Sequence, residues 1–303
     1  MTATPTFGNP FVISGPLPKP PDYTLLDAVP PIQPPADGEA PERWGNGVEV
    51  WPYPVDLPST WLACVAEASG GKATATAKPL PRFAAFTIIM VDQCNPYLAK
   101  EPEFRQRLMQ AYAAVESYPV EREFMTGTLL PDNPSLFRQI KDDGTLGTPD
   151  VSVYPAGDTA QHPVPGLAYL ENAIAATGKQ GIIHCSPAVV TAWFGHLLVA
   201  DKNSVLVTHN GTTVIPGYGY QDAGDPDGHT GSGSTAEWAF ATGLLEIRRG
   251  DPYMVPGDND EYSAIAEATD RTNNLTTFRY EREYLVDWDT TFQAGVLIDW
   301  SLT

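Results

Sequence analysis

Apolar and polar positions along the chain change period several times. Between Glu101 and Tyr118, the residues Phe104, Leu108, Ala111, Tyr112 and Val115 fall at i, i+4, i+7, i+8 and i+11. That spacing lays one apolar stripe along a helix. Pro102 stands at its start, Glu101 and Glu103 sit in its first turn, and Pro119 marks its expected end. A mixed-charge stretch, Val120 to Gly127, follows. Leu167 to Thr177 reads as a shorter helix closed by Gly178. Gly181 to Cys185 reads as a buried strand, after which Ser186 and Pro187 provide an N-cap and a first-turn proline for a helix reaching about Leu198. Val205–Val207 and Thr212–Ile215 flank His209-Asn210-Gly211, and Asn-Gly is a strong hairpin signal.

Other segments carry the period of two. Val48–Trp51 and Trp61–Val65 are β-rich, Lys72–Lys78 alternates small and polar residues after Gly70-Gly71, and Phe83–Val91 reads as a buried strand. Together they predict a long hairpin. Trp238–Ala241 and Leu244–Arg248 predict a strand pair turning through Thr242-Gly243. Asn274–Val286 and Phe292–Trp300 predict two long closing strands, the first with Thr277, Arg279, Glu281 and Glu283 on one face and Phe278, Tyr280 and Tyr284 on the other. Residues 128–162 are loop-rich, and Gly217–Ser234 reads as a mobile loop.

The first 60 residues hold nearly half of the 30 prolines of the 303-residue chain, a composition that excludes helix and favours an extended arm. Yet the arm carries Phe11, Ile13, Tyr23, Leu25, Trp44 and Trp51, which, with Trp61 beyond it, need a surface to cover them; a neighbouring subunit is the expected one. Charged residues make up only 18% of the chain, which also points to covered surface. The net charge of −19 argues against a direct reader of nucleic acid and suits a wall that does not adhere to packed DNA. Cys64, Cys94 and Cys185 are too widely spaced for a zinc knuckle or a disulfide framework. No signal peptide and no apolar run long enough to span a bilayer is expected.

The order of arm, long hairpin, long helix, strand–helix–hairpin block and closing strands resembles the HK97-like capsid fold of tailed-phage major capsid proteins and encapsulins. Gly181–Trp193 with Asn210–Gly219 is similar to the compact domain of that family, Glu101–Tyr118 with Val120–Gly127 to its spine helix and sequel, and Phe278–Asp289 with Phe292–Ile298 to its closing strands. The resemblance implies an α+β chain: an N-terminal arm over 1–60, an E-loop hairpin over 61–93, a spine helix with part of the β-rich P-domain over 94–162, an α/β A-domain over 163–270, and P-domain return strands over 271–303. It implies a virion protein that assembles with copies of itself into the hexamers and pentamers of an icosahedral head. Assembly would take place in the bacterial host cytoplasm, with a separate scaffold or decoration protein as possible partners and DNA nearby only as cargo. No membrane partner and no cofactor are expected. An encapsulin-like compartment shell and a minor capsid or head–tail joining protein are the alternatives.

No chemical motif outweighs its structural explanation. His184, Cys185 and Ser186 are adjacent, but neighbours on a strand face opposite ways, so a core strand ending in an N-cap accounts for them. Asp222, Asp225, Asp227 and His229 lack calcium-loop spacing, and Gly228–Ser234 lacks the lysine of a phosphate loop. Arg248-Arg249 reads as a salt-bridged pair. The chain is therefore expected not to be an enzyme. Some capsids of this family weld neighbours through Lys–Asn isopeptide bonds, for which Lys72, Lys78, Asn273 and Asn274 are the residues in the corresponding segments.

Overall fold

A computed structural model describes residues 16, 19–32, 48–49, 82–94, 101–140, 146–147, 152–153, 159–222, 224–226, 231–256, 268–272, 275–290 and 292–302. In chain order the elements are α1 (Leu25–Ala28), β1 (Val48–Glu49), β2 (Arg82–Phe83), β3 (Phe86–Cys94), α2 (Glu101–Val115), α3 (Ser117–Thr126), β4 (Gln139–Ile140), β5 (Leu146–Gly147), β6 (Ser152–Val153), α4 (Pro163–Thr177), β7 (Ile182–Cys185), α5 (Pro187–Gly195), β8 (Val199–Lys202), β9 (Val205–Thr208), β10 (Thr213–Pro216), β11 (Ala236–Thr242), β12 (Leu245–Arg249), β13 (Tyr253–Val255), β14 (Thr269–Asp270), β15 (Leu275–Trp288) and β16 (Gln293–Asp299). The fold is α+β, and the chain divides into two compact units.

The smaller unit comprises residues 1–20, 89–115 and 252–282. It holds α2, most of β3, β13, β14 and the first half of β15. The alternation expected for β15 is present here, with Thr276, Phe278 and Tyr280 buried. Phe104 meets Phe278 and Tyr112 meets Tyr280 at ring-centroid distances of 5.3 and 4.7 Å, so the stripe of α2 packs on the apolar face of β15. Arg105 lies over the Phe278 ring at 5.0 Å. The run read as a buried strand is buried only at its start, at Phe83 and Phe86, while Ile89 and Val91 of β3 are 52% and 56% accessible.

The larger unit comprises residues 21–88, 116–251 and 283–303. Its centre is a seven-stranded sheet in the order β6-β16-β11-β7-β10-β9-β8. β7 and β10 are parallel, so the chain must cross over between them; α5 makes the crossover, and the β8–β9 hairpin is inserted in it. Gly178 ends α4 in the left-handed region at φ 67°, as its position after the last apolar residue predicts. Ser186 caps α5 through Val189 N–H, with Pro187 at the first helical position. Leu167, Leu170 and Ile174 of α4 and Val189, Val190 and Trp193 of α5 form one core with Ile183, Cys185, Val214, Ala239, Val296 and Ile298 of the sheet. Trp193 Nε1 donates to Pro163 O at 3.0 Å, which ties the two helices together.

Several expectations need correction. The arm is not wholly non-helical, because the proline-free window Asp22–Ala28 forms α1, closed by a Thr24–Asp27 capping box. The long helix stops at Val115 rather than Tyr118. Pro119 has no N–H and its ring crowds the carbonyl four residues back, so the helix breaks at Glu116 and α3 continues to Thr126 with the proline in its first turn. The shorter helix begins at Pro163, four residues before the expected start, and α5 ends at Gly195. β11 and β12 do not pair with each other; β11 lies between β16 and β7, while β12 pairs with β15. β15 and β16 likewise lie in different sheets, so the closing strands are not one two-stranded return. The segment read as a mobile loop opens with a packed 3-10 turn at Tyr218–Tyr220, in which Tyr220 is buried. The hairpin tip at Gly70-Gly71 lies outside the described residues.

Candidate functional site: an arm anchor over a buried polar node

Within the arm, the stretch Pro21 to Ile32 is bound to its own larger unit at three points. Tyr23 OH donates to Asp201 Oδ2 at 2.9 Å, and that bond holds the Tyr23 phenol above its ordinary pKa. Leu25 N–H donates to Glu121 Oε1 at 2.9 Å, and its side chain is fully buried. Ile32 inserts beside β12, its N–H donating to Ile247 O at 2.8 Å and its carbonyl accepting Arg249 N–H at 3.1 Å.

Glu121 of α3 takes the second of these contacts, that of Leu25. Its carboxylate also accepts Ser117 Oγ–H at 2.9 Å and Gly219 N–H at 2.8 Å. Burial raises its pKa, and the donated hydrogen bonds oppose the rise. Gly219 is the only residue type that fits its position, since a Cβ there would stand 2.5 Å from Arg122 N and Tyr118 O.

Beside this node lies a buried histidine. The Thr242 hydroxyl donates to Gly243 O at 2.9 Å and so accepts from His184 Nε2–H at 2.9 Å; His184 Nδ1 is then the acceptor for Tyr220 OH at 3.2 Å. Phe124 packs its ring at 5.1 Å from the imidazole. Complete burial lowers the His184 pKa to about 3, so the ring is neutral. Burial pushes the Cys185 thiol up, and Ser186 serves as the N-cap of α5, so the three adjacent residues go to three separate structural tasks. Burial also raises the Tyr220 phenol, reinforced by the nearby Glu121 charge.

The residue that precedes α3 is held by charge within the larger unit. Glu116 accepts Arg249 Nη1 at 3.3 Å and the Tyr284 hydroxyl. Arg248 pairs with Asp287 and, at 3.0 Å, with Glu246. Both arginines are thus salt-bridged. Glu246 stands directly opposite Asp287 on the neighbouring strand, and burial, opposed by Arg248, raises the Asp287 pKa to about 6.

Of the residues expected at subunit interfaces, the structure brings Tyr23 and Leu25 together on the arm anchor, with Leu25 facing the core of its own chain. Phe11, Ile13, Trp44, Trp51 and Trp61 lie outside the described residues, as do Lys72, Lys78, Asn273 and Asn274. Asp227 and His229 of the acidic loop lie outside them too, while Asp225 accepts Ser232 N–H at 2.7 Å. Among the described residues no group of three or more metal-ligating side chains forms, and no helix is long and apolar enough to cross a membrane. Glu121, Gly219 and Tyr220 were not singled out as site residues by sequence, and Thr242 entered only as a turn residue. The visible signals were an acidic residue inside an apolar helix stripe and the Gly217-Tyr-Gly219 run before the acidic loop.

The chain thus combines an arm clipped to an α/β unit with a second unit built on a long helix and long strands. The comparisons identify the fold. Aligned in space, the chain matches the "capsid of native GTA particle" at TM-score 0.51 and 13% identity, over 95% of this chain and 100% of that one. It matches a chain of Mycobacterium phage Cain at TM-score 0.51 and 11% identity, over 94% and 92%. It also matches a chain of Mycobacterium phage Bobi at TM-score 0.50 and 14% identity, over 98% and 96%. The chain has the HK97-like major capsid fold. No protein-family model and no curated protein matches it.

Proposed function

We propose that the chain is the major capsid subunit of a tailed phage, which assembles with copies of itself into an icosahedral head around double-stranded DNA. The observation that carries this reading is a shared fold over nearly the full length of both this chain and a capsid subunit. In this reading α2 is the spine helix, the unit containing the seven-stranded sheet is the A-domain, enlarged by β16, and β13–β15 belong to the P-domain. The anchor at Pro21–Ile32 sets where the arm leaves its own subunit. Phe11, Ile13, Trp44, Trp51 and Trp61 are the residues assigned to neighbouring copies, while Leu25 serves the subunit itself. Obligate contacts of this kind bury roughly 2,000 Å² or more. The charge of −19 supports a wall that repels packed DNA.

The test is purification followed by light scattering and negative-stain microscopy, with and without co-expressed neighbouring phage genes. Uniform closed shells are expected. A stable monomer under every condition overturns the proposal, and shells filled with an enzyme rather than DNA move it to a compartment shell. Welding of Lys72 or Lys78 to Asn273 or Asn274 is read separately, from a ladder of bands on a boiled denaturing gel of particles.

A further inference from the structure

One carboxylate of the larger unit serves two stretches of backbone held in the left-handed region. The first is in the arm. Tyr23 stands at φ 64°, immediately before the Thr24 cap of α1. Left-handed backbone is unfavourable for a residue with a Cβ, so the surroundings must hold it there. The Tyr23 ring packs against the core of the unit, and its hydroxyl donates to Asp201 Oδ2 at 2.9 Å. The second is the tip of the β8–β9 hairpin. Lys202 pairs with Val205, which leaves Asn203 and Ser204 as a two-residue loop at φ 57° and 63°. A loop of this kind needs left-handed backbone at both positions, which Asn-Gly supplies most readily. Here serine stands in the place of the glycine. Its N–H donates to Asp201 Oδ1 at 2.9 Å.

The two oxygens of Asp201 thus point at donors from distant parts of the sequence. A carboxylate is planar, so both bonds form together only in one side-chain rotamer. A donor seated on one oxygen fixes that rotamer and with it the acceptor offered to the other. Loss of either donor frees the carboxylate to turn toward water. Order at the two ends is therefore coupled, and the coupling is reciprocal. The position of β8 makes this matter. β8 stands at the end of the strand order, so among the described residues it has a strand on one side only. Ala200, Asp201, Lys202, Asn203 and Ser204 are all exposed, and local contacts such as these hydrogen bonds decide how ordered the tip is.

We propose that Asp201 is a relay between the arm and this hairpin: seating Tyr23 orders the Asn203–Ser204 tip, and lifting the arm loosens it. The relay is a property of the single chain, so it stands or falls apart from the assembly reading. Under that reading, an arm drawn toward a neighbouring copy registers at the outer edge of the sheet. Hydrogen exchange of the Ser204 amide in the full, unassembled chain tests it. The Gly211 amide, which donates to Thr208 O at 3.0 Å in the next turn of the same sheet, is the internal control. Tyr23→Phe keeps the ring and removes the hydroxyl. It is expected to speed exchange at Ser204 roughly threefold, as the loss of an exposed hydrogen bond allows, and to leave Gly211 unchanged. In an Asp201→Ala background the Ser204 N–H has already lost its acceptor. Tyr23→Phe is then expected to change nothing at Ser204, the non-additivity that marks a relay. Unchanged exchange at Ser204 in the single variant overturns the proposal. So does equal acceleration at both amides, which means general loosening, or an undiminished effect of Tyr23→Phe in the Asp201→Ala background.

Discussion

The Leu25 backbone N–H and the Glu121 carboxylate meet at 2.9 Å across 96 residues of sequence, in a site from which water is excluded. The same carboxylate serves Ser117 and Gly219, so one buried charge fixes the arm, α3 and the 3-10 turn relative to each other within one unit. Its burial is costly, and the donors aimed at it offset that cost. Glu121→Gln presents an amide NH₂ where one oxygen accepted, leaving a donor against a donor. The variant is expected to lose about 1–3 kcal/mol of stability and to lose hydrogen-exchange protection at the Leu25 amide first. Unchanged protection at Leu25 would show that the arm is not held by this bond.

His184 makes the larger unit sensitive to acid. Its pKa in the folded chain, about 3, lies below the unfolded value of 6.5. The stability it confers is complete above pH 6.5 and is lost as pH falls toward 3. The shift of about 3.5 units corresponds to about 5 kcal/mol. His184→Gln does not titrate. It is expected to be less stable than wild type at pH 8, with the gap closing by several kcal/mol by pH 4 in urea titrations. A gap independent of pH would sink the assignment.

Asp287 works in the opposite sense. Its folded pKa of about 6 lies above the unfolded 3.8, so its contribution is complete below pH 3.8 and is lost as pH rises through 6. The span is at most about 3 kcal/mol, reduced by solvent around the exposed Glu246. Asp287→Asn, compared with wild type by thermal melts at pH 4 and pH 8, is expected to be relatively more favourable at pH 8. Below pH 6.5 the two groups oppose each other, and the larger histidine term decides that wild type weakens with acid.

The elements that sequence located best are those whose signals are local. Ser186-Pro187, Gly178 and Asn210-Gly211 each fix a cap or a turn within a few residues, and each stands where the pattern placed it. Strand partnership was less legible. β11 and β12 are separated by two residues, and a hairpin was the natural expectation, yet they diverge into different sheets because each finds a longer partner, β16 and β15, far along the chain. Pro119 was read as the end of a helix, when its place in the first turn of the next one allows the chain to resume. The polar node was hidden for a related reason. Glu121 has the appearance of one charge among several in Val120–Gly127, and only the fold aims three donors at it. The order of elements nevertheless carried enough information to reach the fold, since it survives where sequence identity falls to 13%.

Two glycines separate backbone obstruction from side-chain obstruction. A Cβ on Gly166 of α4 would lie 2.1 Å from Ile298 Cδ1, while one on Gly219 would lie 2.5 Å from Arg122 N and Tyr118 O. The first distance is shorter, but the obstacle is the far end of a flexible side chain that a rotamer change can withdraw. The second obstacle is helical backbone, held by its own hydrogen bonds and by the Glu121 node. Gly166→Ala is therefore expected to cost about 1 kcal/mol, partly repaid by alanine's higher helix propensity. Gly219→Ala is expected to cost about 3 kcal/mol or more and to release the arm anchor with it. Denaturant titration of both variants checks the order, and a Gly166 variant less stable than the Gly219 variant would mean that the turn at Tyr218–Tyr220 yields more easily than the α4–β16 packing.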